Sequence, residues 1–190
     1  STVLITDSGD NTTGGAAGDM TYALEKLLHH AVDDAVFAGV VDREAVLACE
    51  AAGVGADVSL RIGGYSNPEQ YGPLPIDGTV TFLTPEDQRD TYKRAAVVQV
   101  DGVAVVLLAV RRSFTAPEHF HDVDINPLEH KIVVTKLGYL FPGLREIAPY
   151  TIMALTPGFA NQDLRSLEYH NVQRPIYPLD PDMTLKNILL

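Results

Sequence analysis

A run of small and polar residues, Ser8-Gly9-Asp10-Asn11-Thr12-Thr13-Gly14-Gly15-Ala16-Ala17-Gly18-Asp19, follows the short apolar stretch Val3 to Thr6 and the acid Asp7. A loop that leads from a strand into a helix presents free backbone N–H groups and the positive end of the helix dipole. That chemistry suits an anion or a carboxylate. Asp10, Asn11, Gly14, Gly15, Gly18 and Asp19 are the candidate binding residues on this loop. The common phosphate-binding patterns are absent, because Thr13 stands where G-x-G-x-x-G needs its first glycine and no Gly-Lys-Ser/Thr follows. The distance from Asp7 to Gly14 is also too long for a tight dinucleotide turn. A turn-rich loop that binds nothing is the competing reading.

Lys136 is the second candidate. It closes a later apolar run, and with Asp7, Asp10 and Asp42 it falls at or just beyond the carboxyl end of a predicted strand, where open α/β sheets hold their ligands. If the strands that end in Asp7 and Lys136 run parallel in one sheet, the lysine and the loop share an edge. Lys136 would then supply charge to a peptide carboxylate or a developing oxyanion, with the glycines permitting close backbone approach. Asp10 and Asn11 could instead orient metal ligands of a partner domain. The plainer alternative is that Lys136 pairs with Asp7 or Asp10 and holds the loop in place.

Other chemistries find little support. His119 and His121 are two apart on a predicted short helix and so point to different sides, His29 and His30 lie at a helix end, and His130 and His170 stand alone. With no H-E-x-x-H and no cysteine cluster, no metal site is expected within the chain. No G-x-S-x-G elbow is present, and Cys49 falls on a predicted helix face, a core position rather than a reactive one.

The elements that must position these residues can be read from periodicity. Met20, Leu24, Leu27, Leu28 and Ala31 form one helix face with Asp19 as its N-cap, Ala35 to Val41 is a buried strand, and Asp42 caps a second helix that Gly53 closes. Val58, Leu60 and Ile62 alternate as a strand broken by Gly63 and Gly64, and another strand covers Ile76 to Leu83. Asp101-Gly102 joins Ala95–Val100 to Val103–Val110 as a hairpin whose turn positions call for positive φ. Further on, Thr115-x-x-Glu118 has capping-box spacing, Lys131 to Lys136 is a strand, Pro142 to Ile147 a short helix and Tyr150 to Leu155 a last strand ending at Thr156-Pro157-Gly158. The fold class is therefore α/β, a mixed sheet with βα units at both ends of the chain and an antiparallel hairpin region in the middle. Residues 1–174 form one domain, and 175–190 a proline-containing extended tail.

The chain has 190 residues, 46% hydrophobic and 21% charged, enough for a sizeable core without disulfides, which the single Cys49 excludes. A net charge of -11 repels phosphate backbones and anionic membranes, so neither nucleic acid nor membrane is an expected partner. There is no membrane-length apolar run and no signal-peptide pattern, and cytoplasmic location is the default. The start at Ser1, with a strand almost at once, is what is expected of a trimmed or excised domain.

Taken together, DSGDNTTGGAAGDMT, GVGADVSLRIGG, VDGVAVVLLAVRR, IVVTKLGY, LTPG and RPIYPLD resemble, in order and over nearly the whole chain, the carboxy-terminal domain of the MlrC (microcystinase C-like) family of metallopeptidases. Members usually carry Asp-Asn-Pro-Gly-Gly-Gly in the loop, where this chain has Asp10-Asn11-Thr12-Thr13-Gly14-Gly15. The resemblance implies a hydrolase that cleaves peptides with zinc held in an amino-terminal domain that these residues do not include. On that reading the partners are that amino-terminal domain and a peptide substrate, this chain carries no cofactor of its own, and alone it is inactive. The domain that meets it should leave an apolar face, through which two copies can also pair. A reading from a different class is a stand-alone module that binds a small anion or nucleotide at the glycine-rich loop.

Overall fold

The computed structural model describes residues 1–69 and 71–183. Eight strands form one mixed sheet: β1 (Val3–Asp7), β2 (Ala35–Val41), β3 (Asp57–Ile62), β4 (Leu74–Leu83), β5 (Ala95–Val100), β6 (Val103–Leu108), β7 (Ile132–Thr135) and β8 (Tyr150–Ala154). Their spatial order is β3-β4-β5-β6-β2-β7-β1-β8. From β6 to β8 every neighbouring pair is parallel, whereas β3, β4, β5 and β6 pair antiparallel. The α/β class, the mixed sheet and the antiparallel middle of the chain are thus as the sequence implied.

Burial explains the two strand patterns. β2 and β6 are continuous apolar runs because they lie mid-sheet with both faces covered. β3 alternates because only Val58, Leu60 and Ile62 face the core, while Asp57, Ser59 and Arg61 face solvent. One face of the sheet packs Phe37, Val105 and Val134 against Leu24 of α1 (Tyr22–His29) and Val46 and Cys49 of α2 (Arg43–Ala52). The other packs Leu4, Val36 and Val106 against Phe120 of α3 (Pro117–His121) and Leu144 of α4 (Pro142–Ile147). Each large side chain buried in this way stabilises the fold by about 1.5–3 kcal/mol. No helix among the described residues is long and apolar enough to cross a membrane.

Several local expectations are revised. The first helix begins at Tyr22, and its N-cap is Thr21; Asp19 is engaged elsewhere. Thr115 and Glu118 form no capping box: Ala116 caps α3, Pro117 occupies its first turn, and the Thr115 N–H donates to His119 Nδ1 at 3.1 Å. The β5–β6 hairpin forms at Asp101-Gly102, but only Asp101 has positive φ, 47°. Gly102 is required for a different reason, since a Cβ there would sit 2.1 Å from the Val32 carbonyl oxygen. From Arg174 to Met183 the chain folds in turns, with Arg174 ion-paired to Asp180; residues 184–190 lie outside the described residues.

Candidate functional site

Because β1, β2, β7 and β8 are parallel neighbours, Asp7, Asp42, Lys136 and Thr156 all emerge at one edge of the sheet. The glycine-rich loop folds over that edge. Lys136 is 2% exposed, and its ammonium lies 2.8 Å from Asp10 Oδ2 and 3.4 Å from Asp7 Oδ2. It also donates to the Met20 carbonyl oxygen and stands 5.1 Å from the centre of the Phe37 ring. The lysine and the loop therefore meet, and the group that receives the lysine's charge is the loop's own carboxylate.

Asp10 is fully buried and organises the loop from within. Its Oδ1 accepts the Gly18 N–H at 2.9 Å and its Oδ2 accepts the Met20 N–H at 2.8 Å, so the anion in this cradle belongs to the chain. Asp7 is held from the other side by the Thr156 hydroxyl, which in turn accepts the Gly9 N–H at 2.8 Å. Chain crossing here needs glycine: a Cβ on Gly9 would lie 2.2 Å from the Thr156 carbonyl oxygen. Two carboxylates and one ammonium leave this buried group one negative charge in excess. Burying it is tolerable only because the remaining lone pairs meet N–H and O–H donors.

At the tip of the loop, Asn11 caps a short 3-10 turn, Thr12–Gly14, by accepting from the Thr13 N–H at 3.0 Å and the Thr13 hydroxyl at 2.6 Å. The N–H groups of Gly14 and Gly15 close back on the carbonyls of Asn11 and Thr12. Gly15 and Gly18 take φ of 96° and 83°, a left-handed conformation that favours glycine. Asp19 is also internal to the fold, accepting from the Ser66 N–H at 2.8 Å and from its hydroxyl. Asp42 caps α2 through Ala45 N at 3.0 Å and accepts from Gly63 N at 3.0 Å.

The outer surface of the site was not evident from sequence. The side-chain amides of Asn11 and Gln162 converge over Gly138, each 2.8 Å from where a Cβ on that glycine would stand. Thr156 and Gln162 were both missed, since each comes from a segment that carries no periodic signal. The Lys136 carbonyl also receives Thr12 N and Oγ1, both at 3.2 Å, which ties the loop to β7 a second time.

This arrangement holds no ready nucleophile or free base. Cys49 is fully buried, and burial first, then the charges of Asp42 and Glu50, push its thiol up to about 11. The carboxylates at the edge are committed to N–H, O–H and ammonium donors. Among the described residues no group of three or more His, Cys, Asp or Glu is placed to hold a metal ion. The described residues do not fit a zinc site.

Comparison with known proteins agrees with this picture at the level of family. The family model described as MlrC C-terminus matches residues 5–171. Microcystinase C of a Sphingomonas species is 25% identical over 186 residues, covering 94% of this chain and 36% of that protein. The crystal structure of a proposed metallopeptidase from a Mesorhizobium species superposes with a TM-score of 0.74 at 25% identity, covering 94% of this chain and 38% of the other. The chain thus spans little more than a third of the length of either relative. On the strength of the match over almost its whole length, this chain belongs to the MlrC carboxy-terminal domain family.

Proposed function

We propose that the chain is the carboxy-terminal domain of a zinc metallopeptidase, shaping one wall of a peptide cleft whose metal-binding residues belong to an amino-terminal domain. The observation that carries this reading is the internal locking of the carboxyl edge. Lys136, Asp7 and Asp10 are directed at one another and not outward, which suits a rigid support better than a catalytic set. The surface offered to a substrate is the Asn11 and Gln162 amides over Gly138, groups that can hydrogen-bond a peptide backbone. Family membership and the lengths of the relatives support an additional domain.

The amino-terminal domain is proposed to seat on β8 and the segment after it. Tyr150, Ile152, Met153, Leu155 and Phe159 are 45–62% exposed there, an apolar stretch on an otherwise acidic protein. A stand-alone anion or nucleotide module is less favoured, because the N–H groups of Gly14, Gly15 and Gly18 already have partners within the loop. The test is reconstitution. The pure chain with added zinc should cleave no peptide, and mixing it with the separately expressed amino-terminal portion of a full-length family protein should restore cleavage. Zinc-dependent cleavage by this chain alone would overturn the assignment.

A further inference from the structure

Thr6, on β1 next to the edge strand, lies between Thr135 on β7 and Met153 on β8 and is 2% exposed. Its hydroxyl has no hydrogen-bond partner among the described residues, although buried hydroxyls are nearly always paired. Thr6 is among the residues that line a pocket of about 120 Å³ between β8 and α4, with its hydroxyl beneath the pocket surface. Leu140 and Met153 make the walls apolar, and exposed Tyr139 and Arg145 stand at its mouth. Arg145 carries the only formal charge among the lining residues and forms no ion pair with any described residue.

A buried hydroxyl donor, a free guanidinium and a small apolar wall are the three features that recognise a carboxylate attached to a short branched carbon group. A neutral ligand would leave Arg145 without use, and a large one would not enter. The chain's net charge of -11 disfavours anions over most of its surface, so a carboxylate bound here has to be held by these two groups. We propose that the pocket is a subsite for the terminal carboxylate and small apolar side chain of a peptide. The peptide part of this assignment rests on the peptidase reading above; the carboxylate part does not.

The test is a titration of the isotope-labelled chain followed by amide NMR, with N-acetylvaline, its neutral amide and isobutyrate as probes. N-acetylvaline should shift the amides of Thr6, Thr151 and Met153 saturably, and the neutral amide should bind at least tenfold more weakly. Thr6→Val and Arg145→Gln should each weaken N-acetylvaline binding fivefold or more. Thr6→Val should leave the melting temperature unchanged or raise it, because an isosteric apolar group replaces a buried hydroxyl that lacks a partner. A melting temperature lowered by Thr6→Val would mean that the hydroxyl is bonded within the chain and would overturn the proposal. So would equal binding of acid and amide, or no saturable shift. If isobutyrate binds and N-acetylvaline does not, the carboxylate site stands and its peptide assignment falls. Saturable N-acetylvaline binding in a chain whose reconstitution yields no peptidase leaves the subsite in place and removes only the catalytic reading.

Discussion

At the carboxyl edge of the sheet the buried Lys136 ammonium lies within 3.4 Å of both Asp7 and Asp10, whose oxygens also accept from Gly18 N, Met20 N and the Thr156 hydroxyl. At the β8 edge, a few residues away in the chain from Thr156, Tyr150 and Ile152 stand 62% and 53% exposed, and the hydroxyl of the neighbouring Thr6 is unpaired. The first region is complete by itself, with polar groups inside and satisfied. The second has apolar groups outside and a polar group inside without a partner, the reverse of what a self-sufficient surface shows. The far edge of the same sheet, β3, provides a control: it turns Asp57, Ser59 and Arg61 to solvent, the usual way of blunting an exposed strand. The difference teaches that this chain protects one edge by composition and leaves the other for something else to cover.

The largest effect should come from breaking the complete region. Lys136→Met keeps length and apolar volume but leaves two buried carboxylates without their cation, a change that costs about 3–5 kcal/mol. Urea unfolding should show it as a lowered midpoint at unchanged slope. A loss under about 1 kcal/mol would mean that water reaches Asp10 and that the edge is not closed.

How much of this was legible depended on whether the responsible contact was local. β2 and β6 could be read from their unbroken apolar runs, and α2 from Asp42 and Gly53 at its two ends. The meeting of Lys136 with the loop was legible as well, since both follow parallel strands. The sequence alone does not single out Asp10, folded beneath its own loop, as the lysine's counter-ion, because loop backbone geometry has no periodic signature. Asp19 looked like a helix cap until Ser66, 47 positions away, provided a better donor pair. Thr156 reaches Asp7 across 149 positions, and nothing in its neighbourhood marks it as more than the end of a strand.

An intermediate effect is expected where a charge pair is only partly withdrawn from water. The Arg94 guanidinium hydrogen-bonds Glu50 at 2.6 and 3.0 Å and, against the opposing pull of burial, holds its carboxyl below the ordinary value of 4.5, with Arg89 and Arg43 helping. Since the folded value lies below the unfolded one, this stabilisation is complete above the unfolded value and is lost as pH falls through the folded one. Unfolding midpoints measured from pH 7 down to pH 3 should fall, and Glu50→Gln should flatten the fall by about 1 kcal/mol. An unchanged profile in that variant would show that the pair contributes nothing.

The smallest effect on this chain, and the most informative for the comparison, should come from the β8 edge. Tyr150 and Ile152 lie on the same face of β8, opposite the Thr6 pocket side occupied by Met153, and both are more than half exposed. Replacing both with threonine keeps strand propensity while removing apolar surface. Because little of either side chain is buried, the stability of the chain alone should change by no more than about 0.5 kcal/mol. If β8 is where the amino-terminal domain seats, the same double variant should weaken reconstitution at least tenfold, since truncating anchors at the centre of an interface costs about 1–2 kcal/mol each. Sedimentation of the chain alone separates the remaining possibility, a second copy of the chain: unaltered reconstitution with a concentration-dependent dimer that the variant abolishes would assign the edge to self-association. A loss of stability above about 2 kcal/mol in the chain alone would instead place both residues in its core, and the contrast between the two edges would disappear.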